Sequence, residues 1–308
     1  MAVARLESGS VGRINLDALP ERKRVLLEGI GVRLSKIPGV RALSLGGSYA
    51  RGTAQSGSDL DIGVYYRPAD SFRIEEIRRL AIELAKADPV VTGFYEWGPW
   101  VNGGAWIETD ICKVDLLYRN LEQLEETIRE AHAGGARHDF DQQPPFGFRG
   151  VIYLGELDCC IPLYDPAEEL ARLKHAVEKY PPALKHTIVR DSLWGAEFTL
   201  LFARGFARTG DVFNTVGCLT RIGHYLIQAL FALNERYFVN GKRVFEAMTD
   251  FGLMPTRFQE RIDAVLAHAG ASAAELGASI EMTAALWRET VGLAGSLYQR
   301  RFALESLT

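Results

Sequence analysis

Residues Leu43–Tyr66 read LSLGGSYARGTAQSGSDLDIGVYY, and this stretch decides the first half of the fold. The apolar run into Leu45 predicts a short buried strand, which Gly46-Gly47 ends in a turn. Glycine permits unusual backbone angles and close approach of main chain to a ligand. Ser48 then begins a short helix, where free N–H groups and the hydroxyl suit phosphate oxygens. After a polar loop, Leu60–Tyr66 reads as a second strand. Asp59 and Asp61 are two apart, so both side chains leave one face, while Leu60, Ile62 and Val64 leave the other. Side-by-side carboxylates repel each other. A divalent cation converts that repulsion into ligation, and magnesium prefers carboxylates together with phosphate oxygens and water. A phosphate cradle near such a pair suits metal-assisted phosphoryl or nucleotidyl transfer.

Outward from this stretch, helical spacing predicts a helix over Pro20–Lys36, stopped by Pro38-Gly39. Val40–Leu45 is the first strand, and a helix is expected over Phe72–Ala87. Strand signal continues through Val90–Trp97 and Ala105–Tyr118. Leu121–His132 reads as a helix closed by Gly134-Gly135. The segment QQPPFGFRG, residues 142–150, is the best boundary. Beyond it a helix is expected with Asp165 as N-cap and Pro166 at its first position. Long helical patterns follow over Pro182–Arg208, Asp211–Phe238, Pro255–Ala269 and Ser272–Phe302. Val212, Val216, Leu219, Ile222, Leu226, Leu230 and Leu233 form one apolar stripe of a bundle. The reading is α+β: a mixed sheet with flanking helices in residues 1–145, then an all-α bundle in residues 146–308.

The chain has 308 residues, 47% hydrophobic and 24% charged, enough to bury a core without disulfide or metal staples. Its net charge of −4 and lack of a basic cluster disfavour a nucleic-acid partner. Cys112, Cys159, Cys160 and Cys218 form no CxxC or Cys/His ligand spacing and read as reduced thiols. The N-terminus, MAVARLESGSVGRINLDALPERKRV, lacks the apolar core of a signal peptide. The longest apolar stretch, near Leu193–Ala203, is broken by Gly195 and Glu197. The expectation is a soluble cytoplasmic protein with no membrane partner.

The Gly-Gly-Ser turn, ten intervening residues and Asp-x-Asp together resemble the nucleotidyltransferase (DNA polymerase β-like) superfamily. The likeness is strongest to the bacterial branch of kanamycin, lincosamide and minimal nucleotidyltransferases, and the lobe pattern extends it to about Asn120. That family usually adds a third carboxylate from a later strand. Lys113–Tyr118 alternates, and Asp115 sits between apolar Val114 and Leu116 as Asp61 sits between Leu60 and Ile62. Such a placement is costly unless the carboxylate is paired or ligating. Glu108 and Asp110 are rivals nearer a turn. The resemblance implies that Asp59 and Asp61 hold Mg2+ on an incoming ATP or other nucleoside triphosphate. Gly46, Gly47 and Ser48 would cradle the phosphates. Asp115 would complete a second metal site or act as general base. Arg51 could reach a phosphate or be a surface arginine; Ser58 could orient the loop or be a turn residue.

In the second half, Ala229–Lys242 resembles a helix of the antibiotic-type enzymes. Lys242 would meet the triphosphate there, and Asn234 and Tyr237 interrupt the apolar run; helix capping is the competing reading. The loops Glu96–Trp100 and Pro144–Phe146 could line an acceptor pocket or pack on their own lobe. His224 lies on the polar side of its helix in this reading. Arg221 and His224 lack the Arg-to-His spacing of the RNase partners of minimal nucleotidyltransferases. The function expected is transfer of a nucleoside monophosphate, AMP from ATP, to a hydroxyl of an antibiotic-like small molecule. A protein or RNA acceptor in a regulatory or toxin–antitoxin-like setting, and a non-catalytic nucleotide-binding module, are the alternatives. A homodimer is compatible with the sequence.

Overall fold

The computed structural model describes residues 19–302; the N-terminal segment read above lies outside them up to residue 18. The chain forms two units. One comprises residues through Arg129 together with Tyr153–Lys179; the other comprises Glu130–Ile152 and the residues from Tyr180 onward.

The first unit is built on a six-stranded mixed sheet ordered β3-β4-β5-β2-β1-β8. Its strands are β1 (Ala42–Leu45), β2 (Leu60–Tyr66), β3 (Val90–Val91), β4 (Gly104–Glu108), β5 (Lys113–Asn120) and β8 (Ile161–Tyr164). Its helices are α1 (Glu21–Leu34), the single turn α2 (Gly47–Ala50), α3 (Ile74–Leu84) and α6 (Glu169–Val177); α4 (Leu121–His132) leads the chain out and α5 (Val151–Cys159) leads it back. β2 lies parallel to β5, and its other neighbour, β1, is antiparallel. Leu60, Ile62, Val64, Val114 and Leu116 are fully buried on one sheet face with Leu27, Ile30 and Leu34 of α1. Burying side chains of this size contributes roughly 1.5–3 kcal/mol each relative to exposure. Phe72 packs edge-on against Tyr66 and Tyr118, with ring centroids 5.6 and 5.0 Å away, and closes this core.

Several elements differ from the sequence reading. Only Val90–Val91 of Val90–Trp97 is strand, because Tyr95–Gly98 closes a turn through the Gly98 N–H on the Tyr95 carbonyl, 3.0 Å. The helix expected from Asp165 begins at Glu169, after Glu168 adopts a left-handed φ of 54°. Asp165 still serves that helix: Oδ2 accepts from the Ala171 N–H at 2.8 Å. α5 and β8 have no counterpart in the periodicity. The buried Val151, Ile152, Tyr153, Leu154 and Leu157 follow one another too closely to mark a stripe. β8 holds Pro162, tolerated because β8 is a sheet edge.

The second unit holds the hairpin of β6 (His138–Asp139) and β7 (Phe148–Arg149), then α7 (Pro182–Arg208), α8 (Val212–Leu233), α9 (Phe258–Ala267) and α10 (Ala273–Ala294). The fold is thus α+β, with a mixed sheet first and helices dominating the later chain. α8 ends at Leu233, where Asn234 caps it: Nδ2 donates to the Leu230 and Leu253 carbonyls, and Oδ1 accepts from the Leu253 N–H. Asp211 caps the other end by accepting from Asn214 N–H at 3.0 Å. Ser272 and Glu275 form a capping box at the start of α10. Trp287 on α10 donates its indole N–H to the Leu193 carbonyl of α7, 3.1 Å. Among the described residues α8 is the one helix long and apolar enough to cross a membrane, surpassing the Leu193–Ala203 stretch singled out above. Most of its apolar window is buried, as in the core helix of a soluble domain.

Candidate active site

β1 ends at Leu45, and the Gly46 N–H donates to the Asp61 carbonyl at 2.8 Å, which holds the glycine turn beside β2. Gly47 has a φ of +61°, a left-handed conformation that favours glycine. A Cβ built on Gly47 would lie 1.7 Å from Asp61 Oδ2 and 2.5 Å from its Cγ. The Asp61 carboxylate therefore rests directly on the turn. Gly46 differs: its φ is −115°, and a Cβ there would have its nearest neighbour at 3.7 Å. Ser48 sits half-buried in α2, while Arg51 follows it, exposed.

The parallel register of β2 and β5 sets Asp61 directly opposite Asp115. Both lie on the face away from buried Leu60, Ile62, Val114 and Leu116. On the other side of β5, Trp106 of β4 is the register partner of Asp115, and Glu108 that of Lys113. Trp97 stacks on Trp106 with centroids 4.4 Å apart and planes at 25°. A row of carboxylate, carboxylate and indole thus crosses three strands. Of the two rival acids, Glu108 ends β4 and Asp110 lies in the following turn; neither is opposite Asp61.

Lys113 is the residue that sequence reasoning missed. Its ammonium reaches Asp115 at 3.1 Å. Burial acts to lower its pKa, but the Asp115 hydrogen bond and the fields of Asp115, Asp59 and Glu108 raise it overall. Its signal was its own alternation with Asp115. Asp59 precedes β2, half-buried, within electrostatic range of Lys113.

A second missed residue fixes the intervening loop. Lys23 on α1 is 6% exposed, and its ammonium donates to the Ser58 carbonyl (2.6 Å), the Ser56 carbonyl (3.1 Å) and the Tyr49 hydroxyl (3.0 Å). One buried cation ties the α2 side of the motif to the residue preceding Asp59. Ser58 itself is a turn residue: Oγ accepts from the Gln55 N–H at 2.8 Å.

Among the described residues no three His, Cys, Asp or Glu side chains gather into a preformed metal centre. Magnesium needs only one or two carboxylates when phosphate oxygens and water complete its shell. Asp59 and Asp61 beside a glycine turn fit that pattern, since Gly47, having no Cβ, lets the Asp61 carboxylate lie against the turn.

The model of a family described as a nucleotidyltransferase domain matches residues 30–95. Residues 30–95 are thus similar to a nucleotidyltransferase domain. The match spans β1, the glycine turn, β2 and the acids Asp59 and Asp61. Among solved structures, a nucleotidyltransferase-like protein from Exiguobacterium sibiricum 255-15 is similar at 9% identity and a TM-score of 0.42, over 92% of this chain and 82% of that one. An aminoglycoside 6-adenyltransferase from Bacillus subtilis is similar at 12% identity and a TM-score of 0.34, over 92% and 94%. No curated protein matches the chain.

The remaining expected residues lie in the second unit. Lys242 is exposed, with its backbone N–H on Asn240 Oδ1 at 3.0 Å. Tyr237 stacks on Tyr180, centroids 4.7 Å apart. His224, expected on a polar side, is instead 8% exposed and stacks on Phe146 at 4.3 Å, because the Pro144–Phe146 loop of its own unit covers it.

Proposed function

We propose that this nucleotidyltransferase domain moves a nucleoside monophosphate, AMP from ATP, onto a hydroxyl of a small-molecule acceptor and releases pyrophosphate. The observation that carries this reading is the register pairing of Asp61 with Asp115 while the Asp61 carboxylate rests on Gly47. Asp59 and Asp61 would hold Mg2+, which when bound supplies charge to the attacked phosphorus and the departing oxygens. Gly46, Gly47 and Ser48 present main-chain N–H groups and a hydroxyl to the phosphates. Asp115 accepts the proton of the attacking hydroxyl, and Lys113 fixes the orientation of that carboxylate. Trp106, backed by Trp97, offers a flat face on which a base or acceptor ring stacks. Arg51, Ser58 and Lys242 belong to the reading as phosphate or loop contacts, with Ser58 acting through the loop.

The small-molecule acceptor, and membership in the kanamycin- and lincosamide-type branch, rest on the motif order, the helical second half and the net charge of −4. An acidic protein attracts cationic acceptors and repels polyanions. The test is incubation with Mg2+, labelled ATP and acceptor panels that include aminoglycosides and lincosamides. Label on an acceptor, lost in Asp61→Asn while the fold persists by circular dichroism, supports the reading. ATP binding without pyrophosphate release under any acceptor refutes it.

A further inference from the structure

The β6–β7 hairpin and α8, both in the second unit, bring together a cluster of positive groups that the nucleotidyl-transfer reading does not use. Arg149 on β7 donates its Nε–H to His224 Nε2 at 3.3 Å. That contact places the proton of the neutral His224 ring on Nδ1. Burial first, then Arg149 and His138, pull the His224 pKa down to about 3, so the ring is neutral at physiological pH. A neutral imidazole balances none of the charge on Arg149. Among the described residues no carboxylate pairs with Arg149 or Arg221, and Nε is the Arg149 nitrogen that is hydrogen-bonded; the half-buried guanidinium keeps its Nη side for another acceptor.

The neighbours of Arg149 add positive charge. Burial pulls the Arg149 pKa down to about 10, opposed by Tyr225 and helped by the smaller field of Arg221 on α8, and the group stays charged at neutral pH. Arg221 donates from Nη2 and Nε to the Tyr225 hydroxyl at 2.9 and 3.3 Å, which leaves the Tyr225 O–H available as a donor. Tyr225 is held flat on α7, where Gly195 makes room: a Cβ there would come within 2.8 Å of the ring. His138 sits in the field of both arginines, with Nε2 on the Phe146 carbonyl at 2.7 Å. Asp139 acts on His138, and its Oδ1 accepts from the Asp141 N–H at 3.1 Å. Arg149, seated on His224, and Arg221, three residues before His224 on the same helix, are like charges that no ion-paired acid offsets among the described residues. A tetrahedral oxyanion relieves the repulsion, because the planar fork of arginine matches two of its oxygens.

We propose that Arg149, Arg221 and Tyr225 form an oxyanion site in the helical unit that takes the phosphate group of a phosphate-bearing ligand. The site is independent of the nucleotidyl-transfer reading, since binding rather than turnover reports it. The experiment is isothermal titration of the full chain with sodium phosphate against sodium chloride of equal ionic strength, repeated with AMP and glucose 6-phosphate. Saturable phosphate binding is expected, weakened at least tenfold in Arg149→Gln and in Arg221→Gln and unchanged in Asp61→Asn. Arg221 is exposed, so its substitution keeps the test valid if Arg149→Gln fails to fold. In the part of the binding that Arg149→Gln and Arg221→Gln remove, equal affinity for both monoesters means the site reads phosphate alone, and preference for AMP assigns a nucleotide as the source. Phosphate heats no larger than those of chloride overturn the proposal. So does binding that survives both arginine substitutions, or that is lost in Asp61→Asn instead.

Discussion

Gly47→Ala separates the two glycines of the motif by mechanism. At φ +61° an alanine gives up about 1 kcal/mol relative to glycine. The larger effect is steric. The new methyl would lie 1.7 Å from Asp61 Oδ2, and contacts closer than 3.0 Å are essentially never seen, so the carboxylate must retreat. The retreat is roughly 1.3 Å, and misplacement of a reacting group by about 1 Å costs on the order of a hundredfold in rate. The strand cannot move in its place, because Leu60 and Ile62 on either side of Asp61 are fully buried and β2 is paired on both edges. Gly47→Ala is therefore expected to lower stability by about 1–2 kcal/mol in urea unfolding and initial-rate pyrophosphate release about a hundredfold. Gly46→Ala, with φ −115° and 3.7 Å of clearance, is expected to change stability by less than about 1 kcal/mol and the rate less than tenfold. Equal losses in the two variants, or a wild-type rate in Gly47→Ala, would refute the argument that the carboxylate is seated by the turn.

Three further perturbations follow from named contacts. Lys23→Met removes the ammonium from the Ser56 and Ser58 carbonyls and should cost about 1–2 kcal/mol, with a raised KM for ATP and little change in kcat. His224 is held neutral in the folded chain, with a pKa of about 3, whereas the unfolded residue takes a proton near pH 6.5. Its contribution is thus complete at high pH and lost as pH falls below about 6.5, by about 2 kcal/mol between pH 7 and 5; His224→Gln should flatten that part of the stability–pH curve, and an unchanged slope would contradict its burial in the neutral form. Glu197 on α7 is fully buried and accepts from the Tyr298 hydroxyl and from the N–H groups of Arg301 and Phe302, each at 3.0 Å for the backbone donors. Glu197→Ala should cost about 3 kcal/mol and speed tryptic cleavage near Arg300 and Arg301; resistance equal to wild type would rule out this anchoring role.

What was legible in the sequence was whatever repeats along one element. The alternation of Leu60–Tyr66 and Lys113–Tyr118 showed which side chains share a face, while the partnering of Asp115 with Asp61 was what the family resemblance implied. The apolar stripe of α8 was equally plain. What stayed hidden depends on pairing between distant segments. β8 carries a proline and only four residues, and its strand character comes from hydrogen bonding along β1. Lys23 looks like one more charge on an exposed helix face; its role appears only when the loop folds beneath it. His224 stands at a helical spacing that suggests solvent, but the Phe146 loop of the same unit covers it. The Asp165 helix started late because the chain leaving an edge strand spent four residues, Asp165 to Glu168, turning before its first helical residue.

The outermost strand has a practical bearing. β8 comes from residues 161–164, well past the Pro-rich segment, yet it shields the free margin of β1. A truncation ending near residue 145 would keep both acids of the Asp-x-Asp pair and Asp115 but bare that margin. Exposed backbone donors and acceptors of this kind recruit the same strand from other molecules. Such a fragment is expected to precipitate, while one extending through Lys179, the last residue of the first unit, keeps the sheet's border closed.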